Sequence, residues 1–303
     1  MDRPVESRDQ SLSTSAARAR QAVWSRQLRL WQLVLPATLF LLVYFVVPLG
    51  MLFYFSVRAP GVQGMTLLNF QKLLTDSFFL ETLGLSVRLS LEVTAVALVL
   101  GFPLAYLYTR LGPAWRLTIL FVTLLPLLTS AVVRSFAWIV ILGKQGLINA
   151  ALIGAGVVDT PVKLLFTLDG VRIALAQVQL PFMLLPLINA MEQIDPSLEQ
   201  AAVSLGASQS RAFFKVTVPL SAPGVVAGAI LSFALTISAF ITPAMVGGGS
   251  FTVIPTLIYQ SAIVTLDWST AATTALILLV VALAVVWGGM SLARRFRYGP
   301  ESA

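Results

Sequence analysis

Residues 30–57 read LWQLVLPATLFLLVYFVVPLGMLFYFSV, an uninterrupted apolar run that contains no charged side chain. A transmembrane helix needs about 20 predominantly apolar residues, whereas strands are usually about 3–10 residues long. Within the hydrocarbon of a bilayer, a helix also satisfies its own backbone hydrogen bonds. The run therefore predicts a membrane-spanning helix and places the chain among the α-helical integral membrane proteins.

Similar apolar runs recur along the rest of the chain. They predict five further spans, at about 83–108, 117–142, 171–191, 216–246 and 271–293. The composition agrees, because the chain is 57% hydrophobic and 11% charged, whereas about a quarter of the residues of a soluble domain are charged. A water-soluble fold is excluded. The predicted fold class is an all-α membrane protein with six transmembrane helices.

Two residue types that carry much of enzyme chemistry are missing, since the chain has no Cys and no His. Disulfides, thiolate metal sites, Cys nucleophiles and Ser-His-Asp triads are thereby excluded. The sequence also lacks a GxxxxGK[ST] phosphate-binding loop, so the chain does not hydrolyse ATP by itself. We expect no enzyme activity, no metal and no cofactor. A membrane enzyme is the alternative, but no polar catalytic cluster marks one interface.

The net charge of +7 does not form one basic patch. The basic residues concentrate in alternate connections, which indicates membrane orientation rather than nucleic-acid binding. With the N-terminus inside, the inner segments carry Arg3, Arg8, Arg18, Arg20, Arg26, Arg29, Arg110, Arg116, Arg211, Lys215, Arg294, Arg295 and Arg297. The outer segments carry Arg58, Lys72, Lys144, Lys163 and Arg172 over longer stretches. Both termini are predicted to be cytoplasmic.

The chain is predicted to divide into four parts. Residues 1–29, rich in Arg, Ser and Ala, are expected to be a mostly disordered cytoplasmic tail. A signal peptide is the rival interpretation of this end, but the apolar run that follows is too long for one. Residues 30–82 form the first helix and an outer loop, residues 83–293 form the main transmembrane domain, and residues 294–303 form a second cytoplasmic tail.

The most polar inner loop, EQIDPSLEQAAVSLGASQSRAFFKVTVPL at 192–220, is patterned. Asp195 or Ser197 can cap a short helix that has Pro196 in its first turn and ends at Gly206. One face of this helix is apolar, through Leu198, Ala201, Ala202 and Leu205. Such a helix is suited to docking into a groove of another protein. An interfacial amphipathic helix that merely joins two spans is the alternative.

The same loop resembles the EAA motif of the binding-protein-dependent ABC importer permeases, whose pattern is E-A-A, three residues, G, nine residues, I, one residue and L-P. The matching positions are Gln200, Ala201, Ala202, Gly206, Val216, Val218 and Pro219. Gln200 stands where the family usually has Glu, and Glu199 is adjacent. The resemblance implies that residues 196–212 are the coupling helix that docks into an ATPase subunit, with Glu199, Gln200, Ala201, Ala202, Gly206 and Pro219 as its coupling residues.

Two further stretches, at 125–152 and 240–260, resemble the spermidine/putrescine branch of these permeases. The resemblance implies a type I ABC importer permease in the cell inner membrane that imports a polyamine. It also implies a second, similar permease subunit, two ATP-binding subunits and a periplasmic solute-binding protein. Other solutes stay open: an amino-acid derivative, a phosphonate or ferric iron. An ion-coupled secondary transporter is the rival mechanism, and the EAA-like loop argues against it.

Ionisable residues inside predicted spans are costly, so they indicate function or pairing. Arg88 and Glu92 lie one helical turn apart, and Arg134 and Trp138 lie in the third span. These four residues are candidates for the solute path or an outer gate. The alternative is a structural ion pair, with Arg134 extending toward the outer surface.

Overall fold

The computed structural model describes residues 34–58 and 64–297, with side chains described as far as residue 291. All regular secondary structure in these residues is helical. The predicted tail at 1–29 and the last residues, 298–303, lie outside the described residues. The chain divides into two compact units, Met1–Tyr54 and Phe55–Ala303.

The first unit contributes most of one helix, α1 (Val34–Ser56). None of its most apolar window is buried. Its large side chains, such as Phe40, Tyr44 and Phe45, are more than half exposed. A helix that is apolar all round requires apolar surroundings, which agrees with the predicted first span.

The second unit is an assembly of helices, most of them joined by short turns, with a longer connection at 155–167. In chain order they are α2 (Leu68–Thr75), α3 (Ser77–Arg110), α4 (Pro113–Leu124), α5 (Ala131–Leu142), α6 (Leu147–Gly154), α7 (Leu168–Glu192), α8 (Pro196–Ser204), α9 (Gln209–Ala212), α10 (Val218–Leu220), α11 (Ala222–Ile237), α12 (Ile241–Gly247), α13 (Ile254–Tyr259) and α14 (Trp268–Arg297). A 3₁₀ turn follows α4 at Leu125–Leu128, and π-helical turns follow α9 at Phe213–Thr217 and α13 at Gln260–Val264.

Five helical stretches are long and apolar enough to cross a membrane: Val34–Ser56, Ser77–Arg110, Ala131–Gly154, Leu168–Glu192 and Trp268–Ser291. The pair Gln209–Leu220 and Ala222–Ile237, bent by 59°, makes a sixth when it is counted as one broken span. The predicted all-helical membrane fold is confirmed, with five to six spans in the described residues. The last helix continues to Arg297, into the segment predicted as the C-terminal tail.

Two predicted spans are not continuous helices. The run at 117–142 is interrupted at Thr129 and Ser130, after a 3₁₀ turn that contains Pro126. The run at 216–246 bends at Ser221 and is interrupted again between α11 and α12. Prolines next to these breaks lack the backbone N–H that a continuous helix requires, so each of these two runs forms more than one helix.

The core of the second unit is centred on α7, which packs against α3 and α11. Glycines allow the helices to approach closely: a Cβ atom on Gly228 would lie 2.7 Å from Sδ of Met183, and one on Gly224 would lie 2.6 Å from Cβ of Ala190. Met183 also meets α3 at Gly101, where an added Cβ would lie 3.2 Å from its Cγ. Contacts this close hold α3, α7 and α11 together as one packed body.

Candidate functional site

The helix α8 begins where the sequence predicted. One carboxylate oxygen of Asp195 accepts a hydrogen bond from the backbone N–H of Ser197 at 2.8 Å, and Pro196 occupies the first turn. This bond lowers the pKa of Asp195 below its usual value. The Asp195 cap fixes the start of α8 at the end of the short connection from α7.

Gly206 ends the same helix through its backbone conformation. Its φ is +90°, in the left-handed region that favours glycine. The N–H of Gly206 donates to the carbonyl of Val203 at 2.9 Å, and the N–H of Ala207 donates to the carbonyl of Ala202 at 3.0 Å. These two bonds form a Schellman cap, so the segment 196–212, predicted as one coupling helix, consists of α8, this turn and α9.

Most of the predicted coupling residues lie on an exposed surface. Gln200, Ala201, Gly206 and Pro219 are exposed, and Ala202 is half-buried. Apolar side chains surround them: Leu205 is 89% exposed, and Leu198 and Val203 are nearly half exposed. We call this exposed face of α8 and its C-terminal turn the docking surface. Large exposed aliphatic side chains in a polar loop are typical of a surface that a partner covers.

Glu199 is the exception, because it faces the body of the protein. It is 9% exposed, and its carboxylate forms an ion pair with Arg110 at the end of α3. The hydroxyl of Tyr106 lies 3.4 Å from Oε1 of Glu199, and the Arg110 guanidinium lies 5.1 Å from the centre of the Tyr106 ring. The sequence analysis placed Glu199 with the docking residues and treated Arg110 only as an orientation charge. The two residues are 89 positions apart, so no local pattern joins them.

A cavity of about 400 Å³ lies behind α8. Tyr106, Arg110, Arg116, Glu192 and Glu199 contribute to its walls. Nη1 of Arg116 lies 3.9 Å from the Glu192 carboxylate, a looser pair than that between Arg110 and Glu199. Across this cavity the Arg110–Glu199 pair joins the end of α3 to α8, whereas the Arg116–Glu192 pair joins α4 to the end of α7.

Aromatic side chains connect the π-helical turn that follows α9 to α3, next to this cavity. The Phe213 ring lies 4.8 Å from the Tyr106 ring and 5.9 Å from the Phe102 ring, in both cases edge to face. Phe214 lies 5.1 Å from Phe213 and is 67% exposed. These contacts anchor the chain beyond α8, at the π-helical turn that leads into α10 and α11.

The candidate path residues separate into two groups. Nε of Arg88 lies 2.8 Å from Oε1 of Glu92, as the one-turn spacing predicted. Nε of Arg172 in α7 lies 2.7 Å from Oε2 of the same carboxylate, and Arg172 also pairs with Asp169. Arg172 is the member that the sequence analysis missed, because it was counted with the outer segment before the fourth span.

Arg134 and Trp138 have different partners. Nη1 of Arg134 donates to the carbonyl of Pro126 at 2.7 Å, in the 3₁₀ turn that precedes α5. The indole N–H of Trp138 donates to Oε1 of Gln177 in α7 at 3.3 Å. These bonds attach α5 to its neighbours and do not involve the Glu92 group. Among the described residues, no cluster of three or more acidic side chains has metal-binding geometry.

Comparison with known proteins agrees with this architecture. Residues 97–298 match the family model described as the binding-protein-dependent transport system inner membrane component. The spermidine/putrescine transport system permease protein PotB of Escherichia coli is 33% identical over 233 residues, which cover 76% of this chain and 84% of that protein. PotB of Haemophilus influenzae is 31% identical over 204 residues, or 67% of this chain and 71% of that protein.

The fold itself has been solved in a related setting. A chain of a bacterial alginate ABC transporter, in complex with an alginate pentasaccharide-bound periplasmic protein, superimposes with a TM-score of 0.71 at 20% identity. The match covers 90% of this chain and 96% of that one. At this identity the likeness concerns the fold.

Proposed function

The chain belongs to the family of binding-protein-dependent transport system inner membrane components, and from this membership we infer that it is the permease subunit of an ATP-driven importer of spermidine and putrescine. The assignment of the cargo rests on the 33% identity to PotB over 84% of that protein. The chain is a multi-pass inner-membrane permease and not an enzyme. The importer class follows from the family, and the polyamine follows from the names of its relatives.

The proposed assembly has four kinds of component. A periplasmic solute-binding protein delivers the cargo, as the family description indicates. This permease pairs with a second, similar permease to form a heterodimer, and two ATP-binding subunits supply the energy. The absence of a phosphate-binding loop in the sequence supports hydrolysis on separate subunits. The bilayer surrounds the apolar spans, including α1.

The docking surface is the proposed contact with an ATPase subunit. Its exposed Leu198, Val203 and Leu205 provide apolar area, and Gly206 gives a turn without a side chain. Gln200 is exposed beside them, so its contact with the partner is an amide hydrogen bond where the family usually has a carboxylate. The distribution of Arg and Lys supports a cytoplasmic location for both termini and for this surface.

The transport cycle then follows from differential binding. ATP and the cargo-loaded binding protein must each bind more tightly to the outward-facing state than to the inward-facing state, since a ligand without such a preference shifts no equilibrium. The docking surface transmits the ATPase closure to the spans. The permease opens its cavity to the outside, receives the cargo and releases it inside after hydrolysis.

We assign the Glu92 group to structure rather than to the solute path. Both carboxylate oxygens of Glu92 are already engaged, one by Arg88 and one by Arg172. A polyamine would have to displace a guanidinium to reach either oxygen. Two arginines around one carboxylate also repel a polycation, which supports the structural alternative over a path or gate.

The proposal is tested by uptake of labelled putrescine and spermidine in cells that express the complete system, compared with cells that lack this chain. Uptake that requires the chain, persists with a protonophore while ATP is maintained, and ceases on ATP depletion is the expected result. Uptake abolished by the protonophore at constant ATP would instead support a secondary transporter. Transport of a phosphonate, an amino-acid derivative or ferric iron, without either amine, would overturn the cargo assignment.

A further inference from the structure

We propose that Glu199 is a positioning residue for energy coupling: its ion pair with Arg110 is the link through which movement of α8 reaches the membrane-spanning helix α3. This inference rests on the proposed docking of α8 with an ATPase subunit and adds an internal component to it. Glu199 does not belong to the docking surface, although it lies directly before the first residue of the motif. Its carboxylate is directed toward the bundle, where Arg110 pairs with it.

Glu199 attaches α8 to the helical bundle. Glu199 is the buried residue of this helix, while its neighbours Leu198 and Gln200 are exposed. A cavity of about 400 Å³ lies between Glu199 of α8 and the ends of α3, α4 and α7. A displacement of α8 therefore reaches the bundle through the Glu199 side chain at this cavity, through the contact of α8 with the π-helical turn at Phe213–Thr217, and through the backbone at its ends.

The ion pair of Glu199 ends on α3, at the C-terminus of that helix. Arg110 is the last residue of α3, and Tyr106, one turn earlier, contacts both Arg110 and Glu199. The 34 residues of α3 extend over about 50 Å at 1.5 Å per residue. Near its middle, Glu92 is ion-paired to Arg172 of α7. Since 18 residues separate Glu92 from Arg110, the two ion pairs lie about 27 Å apart along α3.

The helix α3 does not move alone. The glycine contacts described above pack α7 closely against α11, where an added Cβ atom would clash, and against α3, where it would be tighter than an ordinary contact. A force applied at Arg110 is therefore shared by three spans, whereas a force applied at the exposed face of α8 reaches α3 through Glu199 and the other spans through the π-helical turn and the chain ends. Packed helices of this kind shift as units rather than deforming continuously.

The Arg110–Glu199 ion pair is also suited to transmit movement in every transport cycle, because it is only partly buried. The Arg110 side chain is 49% exposed and the Glu199 side chain 11% exposed, so water reaches one partner and the pair is not sealed in the interior. Glu199→Gln removes the pair and leaves Arg110, which is half exposed to water, as the unpaired charge. We therefore expect loss of the pair to reduce coupling about fivefold, which is the lower end of measured coupling between sites. Its effect on folding should be smaller.

The experiment uses the complete transporter reconstituted in proteoliposomes with ATPase subunits, the second permease and the binding protein. The variants are Glu199→Gln, Arg110→Gln and the double reversal Glu199→Arg with Arg110→Glu. Glu192→Gln is the matched control, because it removes a carboxylate from the looser pair in the same cavity. Three quantities are measured: ATPase subunit retained on purification, ATP hydrolysis with and without spermidine-loaded binding protein, and spermidine uptake.

Each single variant is expected to retain the ATPase subunit and basal hydrolysis, while stimulation by loaded binding protein and uptake fall about fivefold. The double reversal restores both, and Glu192→Gln behaves as wild type. Single variants with full stimulation and uptake, or a double reversal no better than either, would overturn the link alone. A wild-type complex that retains no ATPase subunit, or is not stimulated by loaded binding protein, would overturn the proposed function as well.

Discussion

The Nε atom of Arg172 donates a hydrogen bond to Oε2 of Glu92 over 2.7 Å and thereby joins α7 to α3 within the spans. Arg88 occupies the other carboxylate oxygen, at 2.8 Å. A charge within a membrane-spanning helix is costly unless it is paired, and here Arg88 and Arg172 both pair with Glu92. The group connects the two central helices of the bundle, which supports the structural role proposed for it over a solute path.

Replacing Glu92 with Gln should lower the thermal stability of the purified transporter and leave its apparent affinity for polyamine unchanged. The variant removes the negative charge and one of the two acceptor oxygens, so at least one charge-assisted hydrogen bond, worth about 1.5–3 kcal/mol, is lost. The concentration of spermidine at half-maximal uptake and the melting temperature in detergent measure the two effects. Glu81→Gln, at an exposed position near the start of the same helix, is the control. A weakened affinity with unchanged stability would contradict the structural role and indicate that Glu92 lines the solute path.

Local signals explain what the sequence predicted well. The uncharged apolar runs predicted helical spans because every backbone group in lipid must be bonded within the segment. Asp195, Pro196 and Gly206 predicted both ends of α8, since a cap and a left-handed turn are properties of a few neighbouring residues. The signal at each of these places lay within one or two turns of chain.

What the sequence analysis missed depends on distant neighbours. Glu199 and Arg110 are 89 residues apart, and Glu92 and Arg172 are 80 apart, so periodicity could not pair them. The breaks at Ser221 and between α11 and α12 were also missed, because apolar composition continues through them. For the break at Ser221, Pro219 and Pro223 were the available signal, since proline interrupts the hydrogen-bond ladder of a helix.

Gly228→Ala should destabilise the packed body of α3, α7 and α11. The added methyl group would lie 2.7 Å from Sδ of Met183 and 3.0 Å from its carbonyl oxygen. Overpacking of this kind costs about 1–3 kcal/mol. Gly84→Ala in α3 is the matched control, because a Cβ atom there meets nothing within 4 Å. Thermal unfolding of both variants in detergent checks the prediction, and equal stability of the two would contradict the tight α7–α11 contact.

The stability of the start of α14 should decrease in acid, because it depends on the charge of Asp267. Burial alone would raise the pKa of this carboxyl, but hydrogen bonds from the hydroxyl and N–H of Thr270, with the nearby charge of Lys72, lower it below its ordinary value of 3.8. A lowered pKa means that the charged cap stabilises the fold above that value and ceases to do so as the pH falls through the lowered pKa. Asp at a helix start contributes about 0.3–1 kcal/mol.

The comparison that isolates this charge is wild type against Asp267→Asn, which keeps a hydrogen-bond acceptor. Wild type should melt at the higher temperature at pH 7, and the difference should disappear as the pH falls below about 4. A difference that persists unchanged into strong acid would show that the Asp267 charge does not stabilise α14.

The account depends most directly on α8 and its turn as the coupling site. The decisive measurement is ATP-dependent uptake of labelled spermidine by cells that express the complete system with Gly206→Asp, at matched abundance. Gly156→Asp is the control, since Gly156 also has a positive φ, +69°, and open space around it, as Gly206 does. We predict that Gly206→Asp abolishes uptake while Gly156→Asp retains it. Normal uptake by the Gly206→Asp chain would contradict the coupling role of this turn.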